Sequence, residues 1–461
     1  MSTIHAVVLA AGQGTRMRSK LYKVLHPVCG KPMVQHVVDT LENMQVQDIV
    51  VVVGHGAEAV KETIGDRVSY ALQAQQLGTA HAVLQAVPFL EEKQGTTLIL
   101  YGDVPLLSQE TLTELLRFHE QQDSAATVLT ATLSDPSGYG RMVRNEVGEV
   151  LRIVEHKDAT QEERAITEIN TGIYCFDNQK LLHALSQVQN NNVQGEYYVT
   201  DCVGILREAG EKVTAFVSKD PDETMGVNDR VQLSQAEAYM RKRINENHMR
   251  NGVTIIDPAS TYIESGVIIG SDTLLYPGTI LRGNTEIGAN CVIGPQTDLS
   301  NVVVKDDVSI TYSVLVESIV EEKATVGPYA YVRPGSHIGP QVKVGDFVEL
   351  KNAKLGKGTK VPHLSYVGDA EIGEGVNIGC GTITVNYDGA VKHKTIVGDH
   401  SFVGCNTNLV APVQVGKGAY IAAGSTINQD VPDDALAIAR ERQVNKPGYA
   451  AKMPRKHNKD K

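Results

Sequence analysis

Apolar residues return at every sixth position through most of the C-terminal half of this chain. They form three runs in different phases, over residues 263–299, 308–350 and 397–427. A six-residue period fits neither the turn of about 3.6 residues of an α-helix nor the alternation of a flat strand. It predicts short strands joined by tight turns and stacked coil upon coil, with the apolar residues inside.

Such a stack of coils has a narrow interior. The residues expected to face inward are Ile263, Ile269, Leu275, Leu281, Ile287, Ile293, Leu299, Val308, Val314, Val320, Val326, Val332, Ile338, Val344, Leu350, Val397, Val403, Leu409, Val415, Ile421 and Ile427. Four positions after each of the first six stand Val267, Thr273, Thr279, Thr285, Cys291 and Thr297. The 461 residues include no Trp, which fits an interior too narrow for large rings. Breaks in the period near 351–354 and 385–396 predict loops that leave the stack.

The first 230 residues alternate between strand and helix patterns. Short apolar runs at His5–Ala10, Ile49–Val53 and Thr97–Leu100 are separated by helical patterns such as Met33–Leu41 and Ala80–Val87. Strands joined by crossover helices predict an α/β domain with a mostly parallel sheet that is covered on both faces.

One long helix is predicted between the two patterns. Apolar residues recur at helical spacing over 229–250, and Asn251-Gly252 follows as a stop signal. The apolar residues are Leu233, Ala236, Met240 and Ile244. We therefore expect an N-terminal domain over 1–229, a linker helix over 230–251, and a stacked-coil domain with a C-terminal tail over 252–461.

Charge and cysteine content argue against several classes of protein. The net charge of −11 is unlike that of a nonspecific nucleic-acid binder, which is usually basic. The six cysteines are scattered, with no CxxC pair and no zinc-like spacing, so we expect reduced, buried thiols. No apolar run reaches the roughly 20 residues of a membrane span, and no basic segment of a signal peptide precedes the first strand. We expect a cytoplasmic protein with neither nucleic-acid nor membrane partners.

A glycine-containing loop, Gly12-Gln13-Gly14-Thr15-Arg16, follows the first predicted strand. Its glycines allow the backbone to approach a phosphate, and Arg16 and Lys23 are suited to neutralising a triphosphate. Asp103 follows a buried strand, at the edge where α/β domains bind ligands, and a carboxylate there is a candidate Mg²⁺ ligand. From the residues alone, a tight turn with solvated cations and an Asp that caps a turn remain alternatives.

The order of these motifs resembles that of the sugar-1-phosphate nucleotidyltransferases. The matching stretches are Leu9–Met17, Lys23–Leu25, Gln73, Gln76–Ala80, Tyr101–Asp103, Gly138–Arg141, Ile153–Lys157, Glu168–Gly172 and Gly226–Asp229. The C-terminal repeats resemble the hexapeptide repeats of left-handed parallel β-helices, and the left hand is implied by that resemblance alone. Together the two halves resemble, over nearly the whole chain, the family of bifunctional uridylyltransferase and N-acetyltransferase enzymes.

The resemblance implies a site for UTP and UDP-N-acetylglucosamine in the N-terminal domain. Its residues would be Leu9, Ala10, Ala11, Gly12, Lys23, Gln73, Gly78, Thr79, Tyr101, Gly102, Asp103, Gly140, Glu155, Asn170 and Asn228. Gln73 and Gly78 would hold uracil, and Gly140, Glu155 and Asn170 the sugar. Arg16 and Lys23 would be catalytic, and Asp103 and Asn228 would bind Mg²⁺.

The resemblance also implies an acetyl-transfer site on the coils. His363 would be the general base, a role that suits histidine near neutral pH, although from sequence alone a surface histidine is the more ordinary interpretation. The residues implied for glucosamine-1-phosphate are Arg333, Lys351, Tyr366 and Asn377, and those for acetyl-CoA are Cys380, Asn386, Tyr387, Cys405, Ala423 and Arg440.

The chain departs from the family pattern at three positions. Cys380 and Cys405 stand where many relatives have Ala and Ser, and Tyr22 stands where Pro is common. A thiol donates hydrogen bonds weakly, so Cys405 is expected to orient an acetyl carbonyl less well than Ser. Neither thiol has a basic neighbour in the sequence, so neither is expected to be a nucleophile.

The function implied is synthesis of UDP-N-acetylglucosamine, a precursor of peptidoglycan and other cell-envelope polymers. Acetyl-CoA and UTP would be the co-substrates, and the family suggests a homotrimer formed through the β-helix. Two alternatives stay open. One is a nucleotidyltransferase whose β-helix is only structural or regulatory. The other is a non-enzymatic scaffold or nucleotide-sugar sensor, which would not need the combination of Arg16, Lys23 and Asp103.

Overall fold

The computed structural model describes residues 3–454. Its contacts divide the chain into two compact units, with the division after Ile244. The predicted boundaries at 229 and 252 stay predictions. No helix among the described residues combines the length and the apolar character that crossing a bilayer requires.

The N-terminal unit is built on one sheet with helices on its faces. The strands of the unit are β1 (Ile4–Ala10), β2 (Pro27–Val28), β3 (Lys31–Pro32), β4 (Asp48–Val53), β5 (Ser69–Leu72), β6 (Thr96–Tyr101), β7 (Ala126–Thr132), β8 (Gly140–Arg144), β9 (Val150–Val154), β10 (Glu168–Asp177) and β11 (Val213–Val217). Strands β2 and β3 pair only with each other, beside the main sheet. The helices are α1 (Met33–Asn43), α2 (Ala57–Ile64), α3 (Thr79–Leu84), α4 (Gln109–Gln122), α5 (Gln161–Arg164), α6 (Asn178–Leu185), α7 (Asp201–Glu208) and α8 (Arg230–Arg250). The predicted strands and helices are therefore present.

The main sheet has the order β11-β7-β10-β6-β1-β4-β5, with β8 and β9 attached beside β10. Strands β6, β1, β4 and β5 are parallel, and β1 is buried on both faces because its Ala6, Val7 and Val8 are fully covered. Strand β10 is antiparallel to β6 and β7. The α/β fold class is confirmed, and the sheet is mixed, which the sequence did not reveal.

Helix α8 begins on the N-terminal unit. The Asp229 side chain accepts the amide N–H groups of Val231 and Gln232, both at 2.9 Å, and so caps its first turn. Ala236 and Met240 are buried in a cluster with residues of the N-terminal unit, and Leu233 and Ile244 pack against it. The predicted helix is confirmed, and its apolar side lies on the N-terminal unit.

The C-terminal unit is a stack of short parallel strands. They are β12 (Thr254–Ile255), β13 (Tyr262–Ile263), β14 (Ile268–Ile269), β15 (Leu274–Leu275), β16 (Ile280–Arg282), β17 (Glu286–Ile287), β18 (Val292–Ile293), β19 (Asp298–Ser300), β20 (Val303–Val304), β21 (Ser309–Ile310), β22 (Val314–Val316), β23 (Ile319–Val320), β24 (Thr325–Val326), β25 (Tyr331–Val332), β26 (His337–Ile338), β27 (Lys343–Asp346), β28 (Glu349–Leu355), β29 (Lys360–His363), β30 (Tyr366–Ile372), β31 (Asn377–Ile378), β32 (Ile383–Val385), β33 (Thr395–Val397), β34 (Phe402–Val403), β35 (Asn408–Val410), β36 (Val413–Val415), β37 (Tyr420–Ile421), β38 (Thr426–Ile427) and β39 (Leu436–Ala437).

Each strand pairs in parallel with its equivalent in the next coil, so the stack has three faces. One face runs from β12 through β15 and β18 to β39. The other two merge into one hydrogen-bonded sheet, because β28 and β30 each continue around the corner between them. The short residues of the repeat are buried and form hydrogen bonds: the hydroxyls of Thr273, Thr279 and Thr285 donate to backbone carbonyls at 2.6–2.8 Å. The predicted stack of coils is confirmed.

Two details of the predicted period are wrong. Val314 is 42% exposed, whereas the neighbouring Leu315 is fully buried. The turns on either side of this strand are one residue shorter, so Ile310 and Leu315 face the interior instead, and Val320 faces it as predicted. Val308 is buried as expected, but it occupies the position of the short residues.

The predicted loop at 351–354 is also wrong. Strand β28 continues from Glu349 to Leu355, with Ala353 buried at the corner. The inward residues Leu350 and Leu355 are five positions apart instead of six, so the corner is one residue shorter and the strand runs on through it. The predicted loop at 385–396 is confirmed. Residues 386–394 leave the stack between β32 and β33, and an antiparallel bridge joins Tyr387 to Lys392 within it.

Candidate functional site

A cavity of about 310 Å³ opens at the carboxyl ends of β1 and β6. Parallel strands of an α/β sheet bind ligands at this edge. The cavity is lined by Leu9, Ala10, Ala11, Gly12, Lys23, Val24, Gln73, Gln76, Gly78, Thr79, Ala82, Tyr101, Asp103, Glu196 and Asn228. Most residues predicted for the nucleotide therefore lie around one cavity. Gly102, Gly140, Glu155 and Asn170 are not among its lining residues.

Opposite charges meet at one side of this cavity. The Lys23 ammonium forms an ion pair with Asp103, and it also donates to Asn228 Oδ1 at 3.2 Å. Arg16 donates to the same amide oxygen at 2.9 Å. Both side chains of the Lys23–Asp103 pair are mostly buried. The two predicted cations and the two predicted metal ligands thus form one cluster.

This cluster offers oxygen ligands of the kind that Mg²⁺ prefers. Asp103 supplies a carboxylate and Asn228 an amide oxygen. Mg²⁺ is often held by one or two carboxylates together with phosphate oxygens and water. Within residues 3–454, no three His, Cys, Asp or Glu side chains gather as a metal site, and a site of this composition would not produce such a group. The donor chemistry therefore fits the ion.

The loop after β1 approaches Lys23 very closely. Gly14 has φ of +63°, and a Cβ atom added to it would lie 2.4 Å from the Lys23 Cβ. Glycine is therefore required there both by the left-handed backbone and by the contact. Gly78 is similarly constrained, with φ of +112° and a Tyr197 carbonyl oxygen 2.4 Å from an added Cβ.

Gln73 has an environment suited to reading a base. It is almost fully buried, and its amide nitrogen lies 3.0 Å from the Gly78 carbonyl oxygen and 3.0 Å from His81 Nδ1. With the amide NH₂ engaged inside the protein, the carbonyl oxygen is the group left to accept a hydrogen bond from a ligand.

The three residues predicted for the sugar lie together beside the cavity. A Cβ added to Gly140 would lie 3.5 Å from both Asn170 Cβ and Glu155 Oε1. Burial, followed by the charges of Asp158 and Asp201, raises the Glu155 pKa. Burial also raises the pKa of Tyr101, which lines the cavity, and the negative charges of Glu155 and Asp103 raise this pKa further. Tyr101 therefore stays a neutral phenol between the two groups of residues.

His363 ends β29 on the C-terminal unit. Its partner in the parallel register is Asp346 of β27, on the preceding coil, and its Nδ1 lies 2.8 Å from Asp346 Oδ1. The histidine side chain is 58% exposed. Its other ring nitrogen is not used in any hydrogen bond among the described residues, so it is available to a ligand.

A second polar cluster surrounds Asp369 of β30. Asn386 donates to Asp369 Oδ2 at 2.5 Å and lies 3.5 Å from the Tyr366 hydroxyl. Lys351 lies 3.9 Å from the same carboxylate oxygen. Arg333 occupies the position equivalent to Lys351 one coil earlier, and it donates to Glu349 at 3.1 Å. Four of the residues predicted for acetyl transfer therefore lie on neighbouring coils.

Three of the residues predicted for acetyl-CoA, Cys380, Cys405 and Ala423, lie in a column along the stack. His363, Cys380, Cys405 and Ala423 each stand three residues after a member of the register Lys360, Asn377, Phe402 and Tyr420, so they occupy equivalent positions of successive coils. A Cβ added to Gly424 would lie 3.6 Å from Arg440 Cδ, so Arg440 adjoins the end of this column. No described hydrogen bond links the side chains of Asn377 or Tyr387 to either cluster.

Sequence reasoning did not single out four polar residues of these sites. Glu196 lines the nucleotide cavity. Asp346 binds His363, Asp369 lies at the centre of its cluster, and Lys392 lies beside Lys351. Of the four, only Lys392 could have been noticed in the sequence, because it lies in the loop that interrupts the six-residue period. The other three are ordinary carboxylates in the sequence. Glu196 belongs to the N-terminal unit, and Asp346 and Asp369 meet their partners only when the coils are stacked.

Comparisons with known proteins match both units. Residues 5–223 match the family model described as nucleotidyl transferase, and residues 261–297 and 394–429 match the bacterial transferase hexapeptide model. The chain is 74% identical over 459 residues to the bifunctional protein GlmU of Brevibacillus brevis, with 100% of both chains covered. It is 60% identical over 444 residues to GlmU of an Exiguobacterium species, covering 96% of this chain and 98% of the relative.

A third relative, GlmU of Halalkalibacterium halodurans, is 57% identical over 452 residues, with 98% of this chain and 99% of the relative covered. These matches span both units and include the stretches that carry the nucleotide cavity and the histidine column. The chain therefore belongs to the family of bifunctional GlmU proteins.

Proposed function

We propose that this protein makes UDP-N-acetylglucosamine at two separate sites. The amine of glucosamine-1-phosphate first attacks the thioester carbonyl of acetyl-CoA, and the CoA thiol leaves. A phosphate oxygen of the N-acetylglucosamine-1-phosphate formed then attacks the α-phosphorus of UTP, and pyrophosphate leaves. The product is a precursor for the synthesis of cell-envelope polymers. The single observation that supports two activities is that each unit has its own group of contacting charged side chains, Lys23 with Asp103 on one and His363 with Asp346 on the other.

For uridylyl transfer, we propose that Arg16 and Lys23 neutralise the negative charge of the UTP phosphates. Lys23 contacts oxygens of Asp103 and Asn228, and Arg16 contacts the Asn228 oxygen. Phosphate oxygens are charged acceptors of the kind that both cations bind strongly. Asp103 and Asn228 are the residues that would hold Mg²⁺, which supplies further neutralisation of phosphate charge when bound. Gln73 and Gly78 would receive uracil, and Gly140, Glu155 and Asn170 the sugar.

For acetyl transfer, we assign the general base to His363. The amine of the substrate is largely protonated near neutral pH, so a base has to remove a proton before or during attack on the thioester. Arg333, Lys351 and Lys392 would bind the sugar phosphate, and Tyr366 and Asn377 the sugar. Cys380, Asn386, Tyr387, Cys405, Ala423 and Arg440 would line the path of acetyl-CoA.

Association of copies through the β-helix is supported by an exposed apolar column. Tyr312, Tyr329, Phe347 and Leu364 all have φ between +31° and +59°, a conformation that is uncommon for bulky residues. The rings of the first three lie about 5.5 Å apart, centroid to centroid, and all four side chains are exposed. We propose that other copies cover this column in a homotrimer. We assign the enzyme to the cytoplasm, where UTP and acetyl-CoA are found.

The function is tested by giving the purified protein each pair of substrates separately. Acetyl-CoA with glucosamine-1-phosphate should release CoA, and UTP with N-acetylglucosamine-1-phosphate should release pyrophosphate. EDTA should stop pyrophosphate release. Uridylyl transfer without acetyl transfer would favour the alternative of a structural β-helix, and binding without either reaction would favour a sensor. Sedimentation analysis gives the number of copies.

A further inference from the structure

One carboxylate on the C-terminal unit faces the histidine proposed as the base. Asp346 and His363 are in register on successive coils, and Asp346 Oδ1 lies 2.8 Å from His363 Nδ1. The hydrogen bond with His363 is the largest cause that lowers the Asp346 pKa, and its own backbone amide adds to the effect. Asp346 is therefore ionised at neutral pH and only accepts hydrogen bonds.

This contact determines which nitrogen of the neutral imidazole carries the proton. An ionised carboxylate requires a donor opposite it, so Nδ1 of His363 holds the hydrogen and Nε2 keeps its lone pair. The second nitrogen is then the one that can take a proton from the substrate. Without the carboxylate, both tautomers and other ring orientations become accessible.

The other titratable groups near the pair do not replace Asp346. Lys343 lies on the same strand as Asp346, and its charge also lowers the Asp346 pKa. Lys360 lies on β29 with His363, and the register between β29 and β31 puts Cys380 at the position of His363 on the following coil. None of these three is an anion that can accept the imidazole N–H and stabilise a positive ring.

We propose that Asp346 is a positioning residue for acetyl transfer. It holds Nδ1–H of His363, presents Nε2 to the amine of the substrate, and stabilises the imidazolium that forms when the proton moves from amine to ring. This inference rests on the proposed role of His363 as the base. No bond to Asp346 is made or broken, because the proton taken from the amine stays on Nε2 until it passes to solvent or to the leaving thiolate.

The test compares Asp346→Asn, Asp346→Ala and His363→Ala in the full-length protein. Asparagine still accepts a hydrogen bond from Nδ1 but lacks the negative charge. An exposed ion pair of this kind is weak, so the acid limb of the kcat profile should move to lower pH by only about 0.2–0.7 unit. The Asp346→Ala variant also loses the hydrogen bond that orients the His363 ring, and kcat should fall by about 10-fold or more. KM for both substrates should change little.

A second carboxylate–histidine pair provides the matched control. Glu321 Oε1 lies 2.9 Å from His337 Nε2, and these residues also lie on successive coils. Glu321→Gln should leave the acetyl-transfer rate and its pH profile unchanged. Uridylyl transfer and the thermal unfolding midpoint, measured on every variant, show that folding is intact.

The outcomes separate this inference from the function on which it rests. If His363→Ala keeps the rate and the acid limb, the base is another residue and the proposed mechanism fails. If His363→Ala is inactive while Asp346→Asn and Asp346→Ala both keep the wild-type rate and pH profile, the base stands and the role of Asp346 is refuted. A loss in Asp346→Ala that is confined to KM would also refute it.

Discussion

Lys351 holds the pKa of Lys392 below its ordinary value of 10.5, because the two side chains lie side by side on the β-helix. The Asp369 carboxylate opposes this effect only in part. Two ammonium groups brought together in this way repel each other until an anion lies between them. This repulsion supports the proposed role of the pair in binding the phosphate of the sugar substrate.

The first prediction concerns this lysine pair. Lys392→Ala should raise KM for glucosamine-1-phosphate by on the order of tenfold, the effect of losing one charged hydrogen bond, and KM for acetyl-CoA should stay the same. Lys394→Ala is the matched control, since Lys394 is close by in the chain but binds Glu371 at 2.8 Å. Equal effects of the two variants would show that only general surface charge matters.

The second prediction concerns the cation at the nucleotide cavity. Lys23→Ala should lower kcat for uridylyl transfer by about 10²–10³-fold, the loss typical of a charge-stabilising donor, without changing acetyl transfer. Lys31→Ala removes a lysine that pairs with Asp39 at 2.5 Å away from the cavity lining and should keep both activities. A Lys23→Ala enzyme with a normal rate would contradict the assignment.

The third prediction concerns where the N-terminal unit can be cut. Asn228 donates its backbone N–H to Gln232 Oε1 at 2.7 Å, and Met240 is buried against the same unit. A fragment that ends at residue 251 should therefore keep uridylyl transfer. A fragment ending at 229 should lose at least about 2–5 kcal/mol of stability, the range for one large buried side chain such as Met240. Urea unfolding of both fragments measures the difference, and equal midpoints would contradict the role given to α8.

The fourth prediction concerns the thiols. Cys405 is exposed and Cys380 half-buried, whereas the remaining four cysteines are buried, and burial raises the pKa of Cys175 and Cys202. Iodoacetamide should therefore react first at Cys405 and stop acetyl transfer but not uridylyl transfer. Bound acetyl-CoA should protect Cys405 from alkylation. The Cys405→Ser variant should resist inactivation by iodoacetamide and should transfer acetyl groups at least as fast as the wild type. Loss of both activities at the same rate would contradict this selectivity.

The fifth prediction concerns stability and pH. Burial, with the charge of Asp158, raises the pKa of Asp201 to about 6, so the folded state binds this proton more tightly than the unfolded chain. This contribution to stability is complete below about pH 4 and is lost as the pH rises through about 6. Because Asp201 is partly exposed, Asp201→Asn should stabilise the protein by only about 1 kcal/mol at pH 7 and by nothing at pH 4. Thermal unfolding at both pH values gives the comparison, and equal shifts at the two would contradict it.

The sequence by itself determined the two architectures and most of the nucleotide cavity. The six-residue period predicts a stack of coils because each repeat carries its own inward residue and turn, so the signal is local. The loop after β1 was also recognisable, because Gly14, Arg16 and Lys23 are neighbours in the chain. The errors occurred where the period shortens by one residue, at Val314 and within β28. A change of phase in the apolar positions does not show whether the chain forms a loop, a shorter turn or a continuous strand there.

Only the tertiary structure decided which polar side chains meet. Asp346 and His363 are 17 residues apart, and Lys23 and Asp103 are 80 apart, so no local pattern joins them. The pairing of Asp346 with His363 depends on the register between coils, and the contact of Lys392 with Lys351 depends on the path of a loop that leaves the stack. The antiparallel direction of β10 has the same cause: a buried strand shows the same apolar run in either direction, and its hydrogen-bond partners exist only once the sheet has formed.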